Sequence, residues 1–301
     1  MIKLVNLFKE YRIIQNNLNK RLIKLHSTSS YIQNYDVKEL ELSLAKFKGS
    51  KYCSTCASGT DALILALKSL NLSNNSEVLI PAYSWISTAS SVLLNNLKIK
   101  FIDISIDNAC VSIDDIKKNI TNKTKAIILV DLYGNAVQSN KLKDICIKKG
   151  IYLIIDGAQS FGSVNQNDYF DIYTTSFFPA KSLGCFGDGG ACFTNNYKIF
   201  KNINILSKNG QKERYNSSVL GLNSRLDSFQ AAVLIEKLKL YKGFLQKRTN
   251  ASKYYYSKLK NYPLRMVIDL NQKKNACTNF PILIDERDKF IMFMKDKSIE
   301  V

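Results

Sequence analysis

Lys181 has the most chemically suggestive surroundings in this sequence. It follows Ser176-Phe177-Phe178-Pro179-Ala180 and precedes Gly184-Cys185-Phe186-Gly187-Asp188-Gly189-Gly190, which holds four of the chain's 13 glycines. A lysine is ordinarily a solvated surface charge. An apolar, close-packed setting disfavours the ammonium form, lowers its pKa and yields a nucleophilic amine. Clustered glycine in a glycine-poor chain marks backbone that turns tightly or approaches a ligand closely. The cluster has neither the GxGxxG nor the GxxxxGK[ST] spacing, so dinucleotide-fold and P-loop readings fail.

Asp156 closes the apolar run Ile151-Tyr152-Leu153-Ile154-Ile155. At the carboxyl edge of a parallel strand it would face a ligand; as a helix cap or turn residue it would not. Ser58-Gly59-Thr60-Asp61 opens a helix after a short strand, offering free N–H groups, a hydroxyl and the positive dipole end to a phosphate. An ordinary N-cap looks the same in sequence. Cys53-Ser54-Thr55-Cys56 is a C-x-x-C pair, but Cys110, Cys146, Cys185, Cys192 and Cys277 supply no second pair at zinc spacing. A redox role is its alternative. His26 is the only histidine, which removes histidine triads and His-rich metal sites.

These residues need a scaffold, and the apolar pattern supplies one. Glu77–Ile80, Ile99–Ile104, Ala126–Val130, Ile151–Ile155, Tyr173–Phe178 and Ala191–Thr194 read as strands. Between them Asp61–Leu70, Trp85–Asn95, Asp114–Ile120, Ser139–Lys149 and Tyr197–Lys208 read as helices. Such alternation predicts an α/β fold whose mainly parallel sheet is covered on both faces. Asp36 with Glu39 reads as a capping box starting a helix to Phe47, with Gly49 as its stop. Two long helices are expected over Ser224–Leu240 and Phe244–Leu259, jointed at Gly243. Leu264–Ile268 and Thr278–Ile284 then read as strands and Glu286–Lys297 as a helix.

The chain has 301 residues, 46% of them hydrophobic and 11% aromatic, enough for a sizeable core and against wholesale disorder. Seven cysteines in this length make no disulfide scaffold and fit a reducing cytoplasm. Lys3, Lys9, Glu10 and Arg12 interrupt the apolar run of the first residues, against a signal peptide. No apolar run reaches the ~20 residues of a membrane span, so no membrane partner is expected. The net charge of +18 could serve nucleic acid. Its lysines and arginines are scattered, however, with short pairs only at Lys20-Arg21, Lys117-Lys118, Lys148-Lys149 and Lys273-Lys274. An A/T-biased composition accounts for them as well, and no nucleic-acid partner is expected.

Taken together, five strings resemble the DegT-type nucleotide-sugar aminotransferases, a branch of the fold-type I pyridoxal-phosphate (PLP) superfamily. They are ASGTDALILAL (57–67), PAYSWISTA (81–89), IIDGAQSFGS (154–163), TSFFPAKSLGCFGDGGACFTN (175–195) and GLNSRLDSFQAAVL (221–234). Their order and spacing match the family across residues 30 to 260, most like the aminotransferases of 3-keto UDP-N-acetyl sugars and 3-oxo-glucuronates. The resemblance implies a three-layer fold with a small, truncated C-terminal α+β domain. Its parts would be a helical arm (1–35), a large PLP-binding domain (36–243) and an incomplete small domain (244–301).

The resemblance also implies roles. Lys181 would hold PLP covalently and shuttle the substrate proton; Asp156 would face the pyridine nitrogen. Gln159 would bind the ring's phenolic oxygen and Trp85 would stack on the ring. Gly59, Thr60 and Ser176 would hold the phosphate. Asn223 would reach the phosphate in a neighbouring subunit, so a homodimer with shared sites is implied. Arg225 and Tyr215 would meet substrate. The substrates would be L-glutamate and a UDP- or dTDP-linked 3-keto-hexose, in surface polysaccharide or lipopolysaccharide O-antigen synthesis. Gly157 stands where the family has Ala, Gln33-Asn34-Tyr35-Asp36 replaces its Gly-Pro-Glu turn, and Asn216-Ser217 follows Arg214-Tyr215 where a histidine is usual. Dehydratases of the family carry histidine in place of the lysine, so Lys181 favours amino transfer. The alternatives are a truncated, catalytically silent homologue and, further off, a basic nucleic-acid-binding protein.

Overall fold

The computed structural model describes residues 1–163, 169–268 and 275–301. In chain order it contains α1 (Leu7–Ser27), α2 (Tyr35–Lys48), β1 (Tyr52–Cys56), α3 (Gly59–Ser69), β2 (Glu77–Pro81), α4 (Ile86–Leu93), β3 (Lys98–Ile102), α5 (Ile113–Asn119), β4 (Thr124–Val130), α6 (Lys143–Lys149), β5 (Tyr152–Asp156), β6 (Ile172–Ser176) and β7 (Gly190–Thr194). Then follow α7 (Tyr197–Leu206), β8 (Gln211–Glu213), β9 (Asn216–Ser217), α8 (Ser228–Leu259), β10 (Arg265–Met266), β11 (Ile282–Leu283) and α9 (Arg287–Asp296).

The alternation read from the sequence closes into a seven-stranded sheet of order β1-β7-β6-β5-β4-β2-β3. Its pairs are parallel from β6 to β3, and β7 runs antiparallel to both neighbours. The period-2 pleat sorts side chains between two cores. Ile128, Ile80 and Ile154 pack beneath Leu63 and Leu65 of α3 and Ile199 and Ile203 of α7. On the opposite face, Ile127, Leu129, Leu79 and Leu153 meet Ile116 of α5 and Cys146 of α6. Leu40 and Leu44 of α2, with Leu234 of α8, cover Phe193 and Tyr173 on that face. The same alternation separates Cys53 from Cys56, which lie in opposite cores. That placement leaves the C-x-x-C pair without a common face for redox exchange. All seven cysteines are free and buried.

Three sequence expectations are corrected. The cap of α2 is Asn34, whose side chain accepts from the Val37 N–H, and Gly49 closes the helix at φ 77°. Asp36 and Glu39 turn instead to Arg21 of α1, at 2.7 and 2.9 Å, and Arg21 also holds Glu236 of α8 at 2.7 Å. A guanidinium satisfying three carboxylates outweighs a local cap. Second, α8 is one helix of 32 residues without a joint at Gly243. Gly243 costs roughly 1 kcal/mol relative to alanine inside a helix, and good helix formers on both sides carry it through. Third, the expected strands near the end shrink to two-residue partners, Arg265–Met266 against Ile282–Leu283. Val267 continues that pairing through its N–H to the Pro281 carbonyl at 3.2 Å while its side chain enters the main core, and its carbonyl accepts from the Asn135 side chain at 2.7 Å.

No described helix is long and apolar enough to cross a membrane, and no cluster of His, Cys, Asp or Glu among the described residues could hold a metal.

Candidate active site

Strand ends and helix starts converge at the carboxyl edge of β5 and β6. Asp156 is the last residue of β5 and is 7% exposed. Its carboxylate accepts from the Ala158 N–H at 3.2 Å and from the Thr88 hydroxyl at 3.3 Å. Burial pushes the Asp156 carboxyl above the usual range, opposed by the Ala158 hydrogen bond, the charge of Lys181 and the Thr88 hydroxyl. Burial likewise pushes the Lys181 amine below the usual range, and Asp156 opposes it. Each group's charge opposes the other's shift, with Asp156 buried and Lys181 half-buried. Mutual perturbation of this kind at a strand's carboxyl end marks a candidate reaction centre.

Lys181 sits in a tight turn. Its N–H donates to the Phe178 carbonyl at 2.8 Å, and the Cys185 N–H returns to the Phe177 carbonyl at 2.8 Å. Gln159 lies one turn beyond Asp156, its carboxamide oxygen accepting from the Tyr133 N–H at 2.7 Å and its backbone carbonyl from Thr278 at 2.6 Å. With the oxygen engaged, the chemistry left to this side chain is donation from Nε2. Tyr133 holds a left-handed φ of 59° to reach it. Strain of this kind collects at functional sites.

The phosphate-type cradle forms where α3 begins. Ser58 caps the helix by accepting from the Asp61 N–H at 3.0 Å, and Thr60 shares a 2.7 Å hydrogen bond with Ser87. Ser176, ending β6, closes against this turn: a Cβ on Gly59 would stand 2.6 Å from Ser176 Cβ. Gly190 lets β7 pass against the Ser58 carbonyl, where any side chain would collide. These hydroxyls, the half-buried helix N-terminus, the buried Asp156 and the partly desolvated Lys181 fit the phosphate, ring nitrogen and carbonyl of PLP. Trp85 stands at the start of α4, 75% exposed and with its ring available to a planar ligand. Gly157, where the related pattern has alanine, leaves the space that the Tyr173 ring occupies. The Tyr173 hydroxyl lies 3.0 Å from Ser160 Oγ.

The remaining expected residues lie on the stretch before α8. Ser224 donates to Asp61 at 2.6 Å and accepts from the Ala57 N–H at 3.2 Å, which ties the stretch to the cradle from behind. Its neighbour Asn223 is exposed. Arg225 opens onto a cavity of about 410 Å³, together with Lys38, Lys208 and Glu41. Tyr215 stands beside the β8–β9 ribbon, 85% exposed at φ 66°, with the Arg214 guanidinium 5.0 Å from its ring. Sequence reading missed Thr88, Ser87 and Tyr133. The first two were readable as hydroxyls on the first turns of a helix following PAYSW; Tyr133 carries no local signal.

A mainly parallel sheet carries a lysine, an aspartate and a phosphate-type cradle at its carboxyl edge, an arrangement compatible with PLP. The chain belongs to the DegT/DnrJ/EryC1/StrS aminotransferase family, whose model matches residues 12–301. It is 36% identical over 264 residues to the UDP-2-acetamido-2-deoxy-3-oxo-D-glucuronate aminotransferase of Pseudomonas aeruginosa, covering 86% of this chain and 74% of that protein. A family aminotransferase from Brucella abortus superposes with a TM-score of 0.92 at 29% identity, over 99% of this chain and 83% of that one. NtdA from Bacillus subtilis, solved with bound cofactor PMP, superposes with a TM-score of 0.87 at 27% identity, over 95% of this chain and 67% of that one.

Proposed function

We propose that this chain transfers an amino group from L-glutamate to a nucleotide-linked 3-keto-hexose, UDP- or dTDP-linked, using PLP. The observation that carries the reading is the partly desolvated Lys181 beside buried Asp156 at the carboxyl edge of the sheet. The substrate class is supported by the likeness to the P. aeruginosa 3-oxo-glucuronate enzyme. The biological setting would be bacterial surface polysaccharide or lipopolysaccharide O-antigen synthesis in the cytoplasm, for which the free, buried cysteines suit a reducing compartment.

PLP supplies an electron sink that accommodates the negative charge left when the substrate carbon loses its proton. Asp156 would face the ring nitrogen and favour its protonated form, and that cation would offset the cost of burying the carboxylate. Gln159 donates to the ring oxygen, and Trp85 covers one ring face. Gly59 N–H, Thr60, Ser176 and the α3 dipole take the phosphate. Lys181, whose ammonium form is disfavoured by burial, would carry a proton at Nζ between the substrate carbon and the cofactor carbon. Asn223, exposed on its stretch, reaches the phosphate of a second copy in a homodimer, with Arg225 and Tyr215 at the sugar side. The organisation into a helical arm (1–35), a PLP-binding body (36–243) and a smaller unit (244–301) belongs to the same reading.

Addition of glutamate to the PLP-loaded protein should bleach its visible absorbance, and a UDP-3-keto sugar should restore it with formation of the amino sugar by mass spectrometry. Bleaching by no amino acid, with PLP bound, removes the proposed activity and leaves the silent homologue.

A further inference from the structure

The helix α8 carries three polar side chains on one face that all reach the turn bearing Lys181. Gln230, Lys237 and Tyr241 stand at i, i+7 and i+11, a spacing that keeps them on one side of a helix. Gln230 Oε1 accepts from the Phe186 N–H at 2.9 Å. Lys237 Nζ donates to the Gly184 carbonyl at 2.5 Å. The Tyr241 hydroxyl donates to the Phe161 carbonyl and lies 2.8 Å from Ser182 Oγ, which itself donates to Phe161 at 3.2 Å. The three contacts fall on residues 182, 184 and 186, directly after Lys181.

Lys237 is the unusual member, because its side chain is only 2% exposed. A buried ammonium is costly unless paired. Its partner is Glu10 of α1, at 2.5 Å, and its charge also lies 5.3 Å from the Phe186 ring. Tyr11 of α1 packs edge-on against the same ring at 6.2 Å. Thus α1 supplies both the counter-charge and an aromatic wall, and α8 supplies the hydrogen bonds. A surface lysine could have held α1 to α8 without entering the interior. This one ends on a backbone carbonyl three residues from Lys181.

We propose that Lys237 is a positioning residue for Lys181: with Tyr241 and Gln230 it fixes the 182–186 turn, so that the amine is presented toward Asp156. Glu10 makes α1 part of that support. Lys237 touches neither substrate nor PLP in this assignment. The inference rests on the proposed role of Lys181, and its test separates the two.

The test compares wild type, Lys237→Met, Glu10→Gln and Tyr241→Phe in two measurements with PLP. Non-covalent affinity is read by equilibrium dialysis at early times, and covalent capture by the rate at which borohydride fixes PLP on Lys181, mapped by peptide mass spectrometry. Positioning predicts that Lys237→Met slows capture at least tenfold while non-covalent affinity stays within about threefold. Tyr241→Phe and Glu10→Gln should each slow it two- to fivefold. A capture rate within twofold of wild type in a folded Lys237→Met overturns the proposal. So does a parallel loss of affinity, capture and melting temperature, which marks general destabilisation. Should Lys237→Met fail to fold, Tyr241→Phe and Glu10→Gln decide: wild-type capture in both overturns the proposal. If wild type itself is never labelled at Lys181, it is the functional reading that falls.

Discussion

The β5–β6 edge and the segment leading into α8 hold their polar residues in opposite ways. At the edge, Asp156, Gln159, Thr60 and Ser176 are each held by a partner of their own chain: Thr88 and Ala158, Tyr133, Ser87, and the Phe178 N–H. On the segment, the Ser224 side chain is tied inward, and the side chains of Tyr215 and Asn223 are exposed. Pre-organised groups lose little freedom when a ligand arrives, whereas projecting groups gain their partners only from something outside the chain. The contrast separates groups that would receive a fixed cofactor from groups suited to a variable substrate or a second subunit.

Breaking the edge should therefore cost most. Asp156→Asn keeps the shape and removes the charge, and turnover should fall about 10² to 10³-fold, measured as kcat with saturating glutamate. The same variant should melt higher than wild type without PLP at neutral pH. The sign follows from burial: Asp156 has a raised pKa in the fold, so its ionised form destabilises the protein once the pH exceeds the ordinary carboxylate range. Below that range both states bind the proton and the advantage should vanish. PLP should reverse it, because the ring cation then pairs with the wild-type carboxylate. Relief of this kind is worth about 1 kcal/mol at functional sites, read by melting curves across pH.

Next in size is Gly59→Ala. The new methyl would press on Ser176, and overpacking costs typically about 1–3 kcal/mol. PLP affinity should fall about tenfold, the equivalent of ~1.4 kcal/mol, by titration of the visible absorbance. Asn223→Ala, on the projecting segment, should lower PLP affinity about fivefold, the value of one hydrogen bond. It should do so only at concentrations where two copies associate, which sedimentation at matched concentrations checks. An equal loss in the monomer would erase the distinction between the two regions. Gly243→Ala, on the exposed side of α8, should raise stability by about 0.5–1 kcal/mol without altering turnover. Nothing stands within 4 Å of its added Cβ.

The legibility of the molecule follows the same division. Strands β2 and β4 to β7 are readable because both of their faces are buried, so apolar runs and short polar breaks mark each one; β3, largely exposed at the sheet edge, is marked by its Ile99–Ile104 run alone. Asp156 and Lys181 were readable for a related reason: a charged residue at the end of such a run has few ordinary explanations. Asn34 and Asp36 are equally good N-cap residues in isolation, and Glu39 three residues on favours Asp36 by completing a capping box. What decides between them is Arg21, 15 residues from Asp36 in sequence. Gly243 looked like a joint because glycine is a poor helix former, yet propensity is weak against a helix packed along α1 and α2. Thr88, Tyr133 and Lys237 each act through a contact distant in sequence, at separations of 68, 26 and 53 residues. No local pattern encodes such contacts.

The central claim is that Lys181 is the amine that holds PLP. Borohydride reduction of the PLP-loaded protein, followed by digestion and peptide mapping, tests it directly, with Lys181→Ala as the control. The account predicts a single phosphopyridoxyl group on Lys181, with labelling and visible absorbance lost in the variant. A label on another lysine, or equal covalent capture by Lys181→Ala, would contradict it.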